Sequence, residues 1–139
     1  MDGWDGYAAS RDRILGDVNA RNIRNLVVLT GDVHANYAAE LKANFDDPTS
    51  ATIGTEFVGT SITSGGNGAD APANAPTLLA ENPHIKFVNT QRGYVVCDVT
   101  RERWQPEYKV MPFVTTPGAP ISTRTTFTVL GDEPGLRES

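Results

Sequence analysis

Cysteine is nearly absent from this chain: Cys97 is the sole thiol among 139 residues. No disulfide can close within the polypeptide, and a zinc site built on several thiolates is excluded. A lone thiol does not fix the redox compartment, and in the β-like stretch GYVVCDV it reads as a small core residue. Long apolar runs are missing as well. None approaches the roughly 20 residues that a bilayer-spanning helix needs, so a membrane helix is not expected. A positive charge excess is lacking too. The net charge is −5 at pH 7 and the pI is near 4.9, which argues against attraction to nucleic acid or anionic lipid. The first residues, MDGWDGY, are neither basic nor apolar and do not read as a signal peptide. There is no internal repeat and no linker between two halves. What remains is an ordinary globular composition, 39% hydrophobic and 21% charged, suited to one domain over residues 1–139.

The pattern along the chain is α/β. Residues 8–22 read as a helix with Ile14, Leu15 and Val18 on its apolar face, weakened by Gly16. Leu26 to Thr30 is a short continuous apolar run, the signature of a strand covered on both faces. Residues 35–43 hold good helix formers, with Ala38 and Leu41 as their apolar side. Further strands are expected at 53–58, 93–100, 105–114 and 124–130, and one after His84. Two helical turns are expected at 76–82, with Pro76 at an early position. The glycine-rich stretch 65–75 reads as an exposed loop, and the polar residues 131–139 as a frayed tail.

The strand at 26–30 ends in Gly31-Asp32-Val33-His34. Gly31 would let the chain turn there, and the C-terminal ends of such strands are where open α/β sheets place their sites. Two readings of the pair are open. Asp32 caps a following helix while His34 sits on its first turn, or both face a cavity and hold a cation. A carboxylate suits hard ions, and an imidazole suits iron, zinc or manganese.

The neighbouring words favour the second reading. In order, DGWDGY, VVLTGDVH, EFVGTSITSGGNGAD, NPHIKFVNTQRGYVVCDVT and YKVMPFVTTPGAPISTRTTF resemble the C-terminal half of the PhoD-type alkaline phosphatases and phosphodiesterases. These belong to the calcineurin-like metallophosphoesterases. The resemblance implies an α/β fold, the C-terminal half of an α/β-β/α sandwich, with mixed sheets packed face to face and flanking helices. It also implies hydrolysis of phosphomonoesters and phosphodiesters at a multinuclear site of iron with calcium, and a secreted or cell-envelope location. Asp32 and His34 are then metal ligands. The superfamily word Gly-His-x-His here carries aspartate in the first position, which suits calcium at Asp32 and the iron-like site at His34.

Three other metal words of that superfamily, Asp-x-His, Gly-Asp-x-x-Asp and Gly-Asn-His-Asp/Glu, do not occur. Gly16-Asp17 is followed by Ala20 where the second aspartate would stand, and Asp17 reads as a solvated helix charge. Two ligands fall short of the about four to six that such a site requires. Tight metal binding and useful phosphatase activity are therefore not expected of the chain alone. Half a sandwich would leave one sheet's inner face bare, so a homodimer, an altered packing or a partner N-terminal half is expected. A non-catalytic folded fragment that self-associates is the alternative reading.

Other residues are weaker candidates for substrate or supporting contacts. Asp5 and Tyr7 either line the cleft or belong to a turn in which Trp4 and Tyr7 pack on the sheet. Glu56, Ser61, Thr63 and Ser64 follow a strand on the same side as Asp32, or simply satisfy their own loop. SGGNG lacks the lysine and helix onset of a phosphate-cradling loop. His84 reads chiefly as a structural histidine. Arg92, Arg101, Arg103 and Arg124 read as dispersed solvent charges, none singled out for phosphate.

Overall fold

The continuous apolar run at 26–30 forms a strand, but at the edge of a sheet and partly exposed, not covered on both faces as expected. The chain builds two four-stranded sheets. The structure, a computed structural model, describes residues 3–138, apart from the side chain of Asp5. A 3-10 turn, Trp4–Tyr7, leads into helix α1, Ala8–Ala20. The first sheet holds β1 (Leu26–Thr30), β2 (Asn36–Lys42), β3 (Thr52–Val58) and β4 (Ile85–Asn89), in the order β1-β3-β2-β4. It is mixed: β1 runs parallel to β3, while β3 with β2 and β2 with β4 are antiparallel. Helix α2, Ala75–Glu81, lies between β3 and β4 in sequence. The second sheet is antiparallel, with β5 (Arg92–Val99), β6 (Arg103–Met111), β7 (Ser122–Leu130) and β8 (Glu133–Glu138) in sequence order.

Helix α1 stops where its last turn closes on a left-handed residue. Asn22 has φ 55°, its N–H bonds to the Asn19 carbonyl, and the Ile23 N–H reaches back to Val18. This is the Schellman pattern, with asparagine in glycine's usual place. Leu15 is buried against Leu41 and Ile53 on the outer face of the first sheet. Ile14, expected on that face, is 48% exposed; the helix buries Leu15 against the sheet, a narrower stripe than its apolar residues suggest.

Segment 35–43 is a strand, not a helix. Alanine, glutamate, leucine and lysine favour helix by intrinsic propensity, but β2 is paired along both edges, with β3 and with β4. That tertiary pairing overrides propensity. Its two faces serve two cores: Ala38 enters the cluster between the sheets and Leu41 the cluster under α1. Of the expected frayed tail, Glu133–Glu138 is instead strand β8, which pairs with β7, and Leu136 packs on the inter-sheet core; Ser139 lies outside the described residues.

The sheet face expected to be bare is covered within the chain. Ala38, Phe57 and Phe87 of the first sheet pack against Tyr108, Phe127 and Val129 of the second. Burial holds the Tyr108 phenol far above its ordinary pKa, with the charges of Cys97 and Glu56 adding to the effect. It therefore stays neutral and donates to the Tyr37 carbonyl across the sheets. Tyr108→Phe should cost about 1 kcal/mol, read as a lower urea midpoint with an unchanged slope.

What stays open is an edge. Strand β1 has a neighbour on one side only, although parallel strands are ordinarily enclosed. Leu29 is 56% and Ile62 58% exposed. They share a groove of about 340 Å³ with Tyr94, Val95 and Cys97 of edge strand β5. Cys97, expected in the core, is half-buried there, and its thiol pKa is raised by burial.

Candidate metal and phosphoester site

Beyond Thr30 the chain makes a tight reversal. The Val33 N–H bonds to the Gly31 carbonyl at 2.8 Å around Asp32, whose φ is 71°. A two-residue hydrogen bond around a positive-φ residue is the rare, strained form of the γ-turn. His34 is left-handed too, at φ 54°. The turn was expected to use Gly31, yet the two unusual conformations fall on the two chemistry-bearing residues. Outside glycine, such conformations cost about 1–3 kcal/mol each and gather at functional sites. No helix follows, so Asp32 caps nothing; Ala35 and Asn36 enter β2 directly. Both Asp32 and His34 are exposed at the C-terminal end of β1.

A second segment comes alongside. The Gly59 N–H binds the Thr30 carbonyl at 2.9 Å, and the Thr60 N–H binds the buried Asn36 Oδ1 at 3.1 Å. Asn36 in turn donates to Asn89 Oδ1 at 3.1 Å, and Asn89 donates to the Asp70 carboxylate and to Gln91 Oε1. Asp70 itself is held below its ordinary pKa, chiefly by a hydrogen bond from Arg124. Gly65, at φ 88°, lies beside His34: a Cβ there would sit 3.6 Å from His34 Nδ1.

Arg92 closes the arrangement from below. It is 4% exposed, not the solvent charge its sequence context suggests. Its Nη1 donates to the His34 carbonyl at 2.9 Å and to Ser61 Oγ at 2.7 Å, with Thr60 Oγ1 at 3.4 Å. The adjoining Gly93 is pressed on β6; a Cβ there would meet the Lys109 carbonyl oxygen at 1.9 Å. Gly93→Ala should therefore force the strands apart at a cost of about 3 kcal/mol, measurable by chemical denaturation.

The structure thus brings Asp32, His34, Ser61 and Ser64 to one end of the first sheet, and Ser61 Oγ is spent on the Ser64 carbonyl at 2.7 Å. Glu56 accepts from Thr30 Oγ1 at 3.1 Å, next to the turn. His84 is not brought there. It stacks edge-on against Phe45 at 5.2 Å, and its carbonyl accepts the Glu40 N–H, toward the opposite end of β2. Tyr7 is 59% exposed and Trp4 38%, so neither packs into the sheet as expected. The side chain of Asp5 lies outside the described residues. Asp17 is a solvated helix charge paired with Arg21. Arg92, Asn36 and Asn89 are the residues that sequence reasoning missed.

The donor chemistry of an aspartate oxygen and an imidazole nitrogen suits a cation. Yet among the described residues no group of three or more His, Cys, Asp or Glu converges. The described residues do not by themselves fit a complete metal centre.

Comparisons with known proteins agree with the sequence words. A profile described as PhoD-like phosphatase matches residues 1–108. Alkaline phosphatase D of Bacillus subtilis (strain 168) is 55% identical over 138 residues, covering 99% of this chain and 24% of that protein. A solved structure titled "Structure of PhoD" superposes with a TM-score of 0.94 at 55% identity, over 99% of this chain and 26% of that one. The chain spans about a quarter of the length of the relatives it matches. It belongs to the PhoD-like phosphatase family.

Proposed function

We propose that this chain forms the C-terminal portion of a phosphoester-hydrolysing centre, the corresponding part of an α/β-β/α metallophosphoesterase sandwich. The reading is carried by one observation: in a PhoD-like phosphatase chain, Asp32 and His34 stand exposed and strained at the end of β1. They would be two donors of a cation set, Asp32 toward a hard ion such as calcium and His34 toward iron. Bound cations in such centres activate water and stabilise charge on the phosphoryl oxygens. The other donors would come from a segment corresponding to the earlier part of alkaline phosphatase D. That segment would also cover the open edge of β1 and the groove lined by Leu29 and Ile62. Phosphomonoesters and phosphodiesters are the substrate class, and a secreted or cell-envelope location follows from the same family reading. Among the described residues no helix is long and apolar enough to cross a membrane.

The exposed apolar side chains along β1 and β5 favour a second reading, a non-catalytic fragment that pairs with its own copy. One experiment separates the two. The chain, alone and co-expressed with the preceding segment of alkaline phosphatase D, is assayed on p-nitrophenyl phosphate and bis-p-nitrophenyl phosphate with iron and calcium, and sized by light scattering. Hydrolysis only in the mixture supports the first reading. A stable dimer that rejects the added segment and stays inactive supports the second.

A further inference from the structure

We infer that Arg92 is a positioning residue for His34, holding the turn and the 60–65 loop in one arrangement. A buried guanidinium is costly unless a carboxylate pairs with it, and among the described residues none does. Its Nε is buried without a partner. The acceptors it does have are all neutral and come from two distant segments: the His34 carbonyl, Ser61 Oγ and Thr60 Oγ1. Core stability alone would be served as well by an apolar side chain of that volume. What the cation adds is a fixed fork that ties both segments together.

The contacts form a relay. Arg92 donates to Ser61 Oγ, which donates onward to the Ser64 carbonyl, and such chains strengthen each member. Ser64 precedes Gly65, which lies beside the His34 ring: a Cβ there would stand 3.6 Å from His34 Nδ1. The same Nη1 grips the His34 carbonyl. It thereby opposes relaxation of a left-handed backbone that a non-glycine residue otherwise avoids. One buried side chain thus holds the backbone of His34 directly and, through Ser61, the loop that runs beside its ring. The functional meaning rests on the proposed role of His34 as a cation donor, whereas the histidine resonances and amide exchange report only on the turn.

The chain has two histidines, His34 and His84, and His84 stacks on Phe45 away from Arg92. Labelling the histidine Cε1 with carbon-13 therefore supplies both a probe and an internal reference. In Arg92→Met the His34 resonance is expected to shift and broaden while His84 stays in place. Amide exchange at Val33 and Thr60 is expected to rise roughly tenfold or more, with little change in α1 and β6. Arg92→Lys, which can reach only part of the acceptor set, should give a smaller displacement. An unchanged His34 in folded Arg92→Met overturns the inference. So does a parallel change in His34 and His84 with uniformly faster exchange, the mark of a purely stabilising role. If Arg92→Met does not fold, Ser61→Ala removes the relay alone, and an unmoved His34 there overturns the inference equally. These readings are made on the chain without metal or substrate, so their outcome is independent of the hydrolysis assay.

Discussion

Replacing Phe127 by alanine is expected to lower the unfolding free energy by about 3–5 kcal/mol. The ring is 2% exposed and stands between the two sheets, 6.1 Å from Phe87 and edge-on to Tyr108 at 6.2 Å. Its removal takes away the transfer free energy of a whole ring, leaves a cavity, and breaks two aromatic contacts. Strand ladders on both sides limit collapse into that space, because β7 is paired with both β6 and β8. With a total stability of about 5–15 kcal/mol for a domain, the variant should melt roughly 10–15 °C lower. Phe127→Leu, which keeps most of the volume, should cost under about 1.5 kcal/mol. Calorimetry or urea unfolding checks both. A loss below about 1 kcal/mol for the alanine variant would mean that the two sheets do not share this core.

The elements legible in the sequence are those whose local pattern and tertiary role coincide. Leu26 to Leu29 is apolar and has no competing preference, so the strand could be read directly, but not its place at the sheet's edge, where Leu29 is 56% exposed instead of covered. Pro76 near the start of α2 marks a short helix in the same way. Where pattern and pairing disagree, reading fails. In β2 the side chains prefer helix, and only the presence of β3 on one edge and β4 on the other makes it a strand. In β8, Pro134, Gly135 and three charges read as tail, and the one apolar residue, Leu136, gains its meaning from a core assembled far away in sequence. The inner face expected to be bare is a related error: which faces meet depends on the second sheet folding back over the first.

The candidate site divides along the same line. The word Gly31-Asp32-Val33-His34 is local and was legible. The conformation that makes it a tight turn was not, because aspartate and histidine carry no visible demand for φ > 0 as glycine does. Arg92 was illegible for a different reason. Nothing beside it in NTQRGYVV separates a buried arginine from a solvated one; its burial is decided by acceptors 31 to 58 residues away. His84 shows the converse, a histidine whose residue type suggests a site and whose place against Phe45 removes it from one.

Asp32→Asn and His34→Asn, in the chain assembled with the earlier segment of alkaline phosphatase D, should each lower phosphoester hydrolysis by about 100-fold or more. Displacing even the residues that orient metal ligands typically costs 10–100-fold. Asparagine is the informative replacement because both positions are left-handed, at φ 71° and 54°. Asparagine tolerates that region better than most residues, so the turn can survive while the charge of Asp32 or the imidazole of His34 is lost. Alanine at either place would confound lost chemistry with backbone strain. The stability of both variants should stay within about 1 kcal/mol of the parent, while bound metal per mole of protein falls. Full hydrolysis by either variant, with its fold and assembly intact, would remove that residue from the centre. Loss of activity in both, with metal content reduced and melting unchanged, is the outcome that the strained pair at the end of β1 leads us to expect.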